Sequence, residues 1–182
     1  MQIEAATRLQ AREDPTYSQF LNIGLTKKDA DMYIEWTHQG LFSLSSSKAA
    51  KFLDLFKRIA SAVPKNKQDK IPSKMYRGMT LPKAAFDKLR DSKVVKLKDK
   101  IISSWTADRD NAVEYADDWN SVVVTAKTAD VVLYIGPKLQ KFFFTEYRNY
   151  KRDYPVANEH ELIVSGSGVP ELNLKNARIE NP

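Results

Sequence analysis

Between Lys48 and Val63 the apolar residues fall at Ala49, Phe52, Leu53, Phe56, Ile59, Ala60 and Val63. Steps of three and four place them on one stripe of a helix. Serines 45 to 47 supply an N-cap, and Pro64 followed by Lys-Asn-Lys-Gln-Asp-Lys ends the helix in a lysine-rich loop. Upstream, Thr26 caps a second run that carries its acidic residues early and stops at Gly40. Residues 1–70 are therefore expected to be mainly helical.

After Pro72 the texture changes. The runs KMYRGM, VVKL, KIISSW, SVVVTA, DVVLYI, ELIVSG and ELNLKNARI are short, rich in β-branched residues and separated by polar turns, the pattern of strands. Two helical patches interrupt them. One starts on Pro82 (PKAAFDKLRD), and the other (DRDNAVEYADDW) would bury Ala112, Val113, Tyr115, Ala116 and Trp119 as one stripe. Helices first and strands afterwards, with no internal repeat, predict an α+β fold rather than alternating βαβ units. A single domain over residues 1–182 is expected, with a helical segment at 1–70 and a strand-rich unit at 72–182.

With 182 residues, 42% of them hydrophobic and 29% charged, the chain has the composition of an ordinary globular domain and is long enough to bury a core. No run reaches the ~20 apolar residues of a membrane span, and the N-terminus lacks the basic and apolar regions of a secretion signal. A cytoplasmic location without membrane attachment is expected. There is no cysteine, and the two histidines, His38 and His160, lie far apart in sequence, so neither disulfides nor a zinc site are expected. A net charge of +6, from 29 basic and 23 acidic residues, favours nucleic acid, an anionic protein or a phosphate-bearing small molecule as partner. A plain excess of surface lysine explains it equally well.

No glycine-rich phosphate loop is present: SGSGVP at 165–170 follows a strand but runs into a proline instead of a helix. A phosphate would have to be held by side chains. Arg77 in MYRGM offers a planar donor fork on a strand, and Gly78 after it would let a ligand approach the backbone; the alternative is a strand-end arginine in a salt bridge. In IISSWTADRD the period of two puts Ser104 and Thr106 on one face and Trp105 on the other, although Thr106 or Asp108 would also serve as a helix cap. The third candidate is NEHELIV. As a strand it would carry Glu159 and Glu161 side by side on one face and His160 on the other, and partial desolvation of two neighbouring carboxylates would raise at least one pKa. The alternative is a solvated, charged strand entry.

Taken in order, the strand arginine (YRG), the hydroxyl-x-hydroxyl strand end feeding an Ala-x-x-aromatic-Ala helix (SWTADRDNAVEYA) and the late Glu-x-Glu strand (EHELIV) resemble the R-S-E class of cholera-toxin-like mono-ADP-ribosyltransferases. More narrowly, they resemble its arginine-modifying branch of bacterial toxins and phage-encoded enzymes. The resemblance covers residues 72–178. It implies a mostly antiparallel split β-sandwich with NAD as co-substrate in its cleft, and no metal. Arg77 would bind NAD phosphate, the backbone near Gly78 the nicotinamide amide, and Tyr115 would stack on nicotinamide unless it is a packed core residue. Ser104 would orient the catalytic Glu161, with Thr106 in support, and Glu159 would address the target arginine.

The same resemblance makes KFFFTEYRNYKRDYPVAN the target-recognition loop; its plainer reading is a Phe-Phe-Phe strand and a tyrosine-rich turn. Trp105 inside the hydroxyl motif and Asp117-Asp118 after the aromatic depart from the commoner family pattern. The implied partner is a protein with an accessible arginine, such as host transcription or translation machinery, met by a monomeric enzyme in the cytoplasm of a host or target cell. Nucleic acid is the less favoured acceptor. An NAD glycohydrolase on the same scaffold, or a basic nucleic-acid or polymerase-binding module without catalysis, are the competing expectations.

Overall fold

The structure is a computed structural model that describes residues 15–39, 44–116, 118–143 and 160–180. Three helices come first: α1 (Pro15–Asn22), α2 (Lys27–Gln39) and α3 (Ser46–Ala62). Thr26 starts α2 through a reciprocal cap, in which its hydroxyl accepts the Asp29 N–H at 3.2 Å and the Asp29 carboxylate accepts the Thr26 N–H at 2.9 Å. Arg58 of α3 reaches the same carboxylate at 2.7 Å and ties the two helices together. Burial pushes the Asp29 carboxyl up, but the Thr26 hydrogen bonds and the Arg58 guanidinium outweigh it and hold the group below its usual value. Ser45 caps α3, accepting from the Lys48 N–H at 3.3 Å. The helix buries Ala49, Phe52, Leu55, Phe56 and Ile59.

The strand-rich part follows as β1 (Lys74–Thr80), α4 (Lys83–Arg90), β2 (Val95–Lys96), β3 (Ile102–Thr106), α5 (Arg109–Glu114), β4 (Ser121–Lys127), β5 (Val131–Ile135), α6 (Pro137–Phe143), β6 (Glu161–Ser165), β7 (Glu171–Leu172) and β8 (Ala177–Ile179). Each of the seven runs read as strands after Pro72, from KMYRGM to ELNLKNARI, contains one. The fold is α+β: a six-stranded antiparallel sheet in the order β5-β6-β3-β1-β4-β8, with β2 and β7 forming a separate pair.

The sheet has a seam. β1 and β3 share the single residue pair Tyr76↔Thr106, whereas β3 and β6 pair over five residues and β1 and β4 over seven. From Arg77 onward β1 pairs only with β4. The β5-β6-β3 and β1-β4-β8 halves thus meet at one point.

Alternation along the strands separates two faces. On one, Ile102, Leu133, Ile135 and Ile163 pack under α1, α2, α3 and α6 in a core with Phe20, Tyr33, Trp36, Phe52, Phe56 and Phe143. On the other, Met75, Trp105, Val122, Val124, Leu162 and Val164 form a second core with Phe86 and Leu89 of α4 and with Val95 and Leu172. α5 lies on the first face of the β1-β4 half, where Ala112, Ala116 and Val123 are buried together.

Three expectations need correction. α5 ends at Glu114, so Tyr115 is its C-cap and Trp119 lies beyond it; Ala112 and Ala116 are buried, but Tyr115 is 58% and Trp119 80% exposed, and the predicted five-residue stripe does not form. The plainer reading of a Phe-Phe-Phe strand does not hold for Phe142 and Phe143, which close the helix α6 that starts on Pro137, a favoured first helical position. β6 begins at Glu161, not Glu159, because His160 has a positive φ of 47° and interrupts the strand alternation. Glu159, Asp117 and residues 144–158 of the expected target loop lie outside the described residues. Among the described residues, no helix is long and apolar enough to cross a membrane.

Candidate active site

Glu161 opens β6 in the middle of its half-sheet, opposite Thr106 of β3 on one side and Ile135 of β5 on the other. Its side chain therefore projects from the helix-covered face. Ser104 projects from the same face two residues before Thr106, and its hydroxyl donates to Glu161 Oε1 at 2.5 Å. The sequence places these two side chains 57 positions apart; the antiparallel register of β3 against β6 joins them.

The second donor comes from the N-terminal helices. Trp36 of α2 is 2% exposed, with its ring edge-on to Phe52 and Phe56 of α3 at centroid distances of 5.1 and 4.9 Å. Its indole N–H points at the carboxylate, 3.1 Å from Oε1 and 3.2 Å from Oε2. Both donors suit an ionised acid, whose oxygens only accept. The sequence signal for Trp36 was limited to an aromatic in an amphipathic helix. That a buried indole N–H needs an acceptor was foreseeable; which acceptor, 125 positions away, was not.

Thr106 is buried beside Glu161, and its hydroxyl accepts the Asp108 N–H at 3.0 Å. Asp108 caps α5 by accepting the Asp110 N–H at 2.9 Å. Of the two residues expected as a possible helix cap, Asp108 takes that role, and Thr106 holds the end of β3 where it meets both β1 and β6.

Arg77 sits one residue past the Tyr76↔Thr106 pair. Because Thr106 also pairs with Glu161, two inter-strand spacings separate the backbones of β1 and β6 there, about 10 Å. Tyr76 shares the face of Ser104 and Glu161, so alternation sends Arg77 to the opposite face, between Met75 and Met79. Arg77 makes no hydrogen bond or ion pair to a described residue, and burial pushes its guanidinium below its usual value. Lys100 is lowered as well, by burial and by the charge of Arg77. Arg77 is thus half-buried without a described counter-charge, and the exposed Lys100 adds positive charge near it, an environment that favours an anion.

Gly78 has a definite steric reason to be glycine. A Cβ there would stand 2.0 Å from the Ala112 carbonyl oxygen and 2.9 Å from the Ala116 nitrogen and the Tyr115 carbonyl carbon. The missing side chain makes room for the backbone of α5, rather than for a ligand as the sequence suggested. Tyr115 is exposed, which removes its core-packing alternative. His160 donates no strand pairing, but its carbonyl accepts the Ala107 N–H at 3.0 Å, and its Nδ1 lies 3.4 Å from the Tyr134 hydroxyl. Tyr134 belongs to the face opposite Glu161, so the imidazole lies away from the carboxylate.

Compared with family models, curated proteins and solved structures, the chain matches none.

Proposed function

We propose that the protein is an NAD-dependent mono-ADP-ribosyltransferase that transfers ADP-ribose to arginine side chains of a target protein and releases nicotinamide. The observation that carries this reading is the Ser104–Glu161 hydrogen bond of 2.5 Å, next to the seam that holds Arg77. It is the contact that the order of the three sequence motifs calls for, and a strand-entry glutamate with a purely solvated role would not require it.

In this reading the residues present suit NAD as substrate. The charge of Arg77 and Lys100 suits its phosphates, and the β1 edge beyond Tyr76, which pairs with no residue of β3, is assigned to the nicotinamide amide. Scission of the nicotinamide–ribose bond sends the bonding electron pair to the nicotinamide nitrogen and leaves positive charge on the sugar. Glu161, anchored by Ser104, counters that charge and so favours the transition state over bound substrate. An arginine nitrogen of the target then bonds to the same sugar carbon and gives up one proton, for which Glu159 is the assigned acceptor. Two acids close in sequence would serve donor and acceptor in one geometry. The split β-sandwich implied by the motifs corresponds, in this reading, to the two half-sheets on either side of the seam.

The test is incubation with labelled NAD and agmatine. Transfer by the wild type and a loss of at least 100-fold in Glu161→Gln are expected, with Glu159→Ala losing transfer but keeping nicotinamide release. Nicotinamide release without transfer to any guanidine would point to a glycohydrolase. No release at all, together with polyanion binding that falls steeply with salt, would replace the enzyme by a binding module.

A further inference from the structure

We propose that Trp36 is a positioning residue for Glu161, so that the N-terminal helices form part of the catalytic site; this rests on the transferase reading above. A glutamate side chain has three rotatable bonds, and a catalytic acid gains from losing that freedom before substrate arrives. Ser104 fixes only Oε1. The indole N–H bridges both oxygens, which sets the plane of the carboxylate as well as its position.

The donor itself has little freedom. Phe52 and Phe56 hold the ring edge-on from α3. α3 is in turn linked to α2 by the Arg58–Asp29 ion pair at 2.7 Å and by a Lys48–Glu35 ion pair. Of the two carboxylate oxygens, Oε1 accepts from both Ser104 and Trp36, and Oε2 from Trp36. A helix that served only to cover the sheet would present an apolar side chain at this point. The N-terminal segment thus acquires a second role: it aims the acid that β6 supplies.

Trp36→Phe keeps an aromatic ring between Phe52 and Phe56 and removes only the donor. In the full-length protein, kcat for nicotinamide release is expected to fall about tenfold, with the KM for NAD changed by less than about twofold, as for a group whose contribution is made in the transition state. Ser104→Ala combined with Trp36→Phe should lose more than the product of the single losses, because each donor partly compensates for the other.

A readout that does not depend on activity is the indole N–H resonance of Trp36 in 15N-labelled protein, identified by its absence in Trp36→Phe. It should move on Glu161→Gln, while the resonance of the exposed Trp119 stays in place. Should Trp36→Phe fold poorly, Trp119→Phe and Trp105→Phe identify the resonance by elimination. An active wild type whose kcat survives Trp36→Phe, or an indole resonance indifferent to Glu161→Gln, overturns the inference alone. A wild type that releases no nicotinamide overturns the transferase reading and this inference with it.

Discussion

Gly78→Ala puts the packing of α5 on β1 to a direct test. The new methyl group would stand 2.0 Å from the Ala112 carbonyl oxygen, and its three nearest neighbours are all backbone atoms, of α5, its C-cap Tyr115 and the next residue Ala116. No side-chain rotation relieves such a clash. To restore ordinary contact at 3.4 Å, helix and strand must separate by about 1.4 Å, which would loosen the small core of Ala112, Ala116 and Val123. Overpacking of this kind costs about 1–3 kcal/mol, and the lower entropy of the unfolded alanine chain returns about 0.4–1 kcal/mol. A net loss of about 1–2 kcal/mol corresponds to a fall in Tm of roughly 2–8 °C for a chain of this size. Thermal unfolding followed by circular dichroism measures it. The same displacement would move Tyr115, so the KM for NAD should rise more than kcat falls. A variant as stable as the wild type, within about 1 °C, would refute the placement of α5 against β1.

Two further substitutions probe charge. Asp29 has a folded-state pKa below its ordinary value of 3.8, so its stabilising effect is fully present above that value and is lost as the pH falls through the lower, folded-state pKa. Asp29→Asn should therefore cost about 1–2 kcal/mol at pH 7, and the gap to the wild type should close in urea titrations below about pH 4; a gap independent of pH would refute the linkage. Arg77→Met replaces a partly desolvated cation that has no described counter-charge by an apolar chain of similar length. Its Tm should equal or exceed that of the wild type, while the NAD-induced rise in Tm disappears; retained NAD stabilisation would remove Arg77 from the phosphate site.

The local elements were legible in the sequence because their determinants are local. Thr26 and Ser45 cap helices, the three-and-four spacing of Phe52, Phe56 and Ile59 marks a buried face, and β-branched runs between polar turns mark β4, β5 and β6. Where the reading failed, a local signal was ambiguous or overruled. An unbroken run such as Phe142 to Phe144 has no period to separate strand from helix. The stripe through Tyr115 and Trp119 assumed a longer helix than the one that ends at Glu114. The Glu159–Glu161 alternation assumed extended backbone at His160, whose φ is 47°.

The order of Arg77, Ser104 and Glu161 suggested a site from sequence alone, and strand register then decided what touches what. β3 and β6 bring Ser104 to Glu161, whereas the one-residue seam leaves Arg77 on the far side of β3 from β6 and on the other face. Trp36 could be found only in the folded chain. Its own helix explains why it is buried, but the choice of Glu161 as its acceptor depends on how α2 and α3 seat together on the sheet. Burial is encoded by periodicity within a segment; partnership across 125 residues is set by the packing of segments against one another.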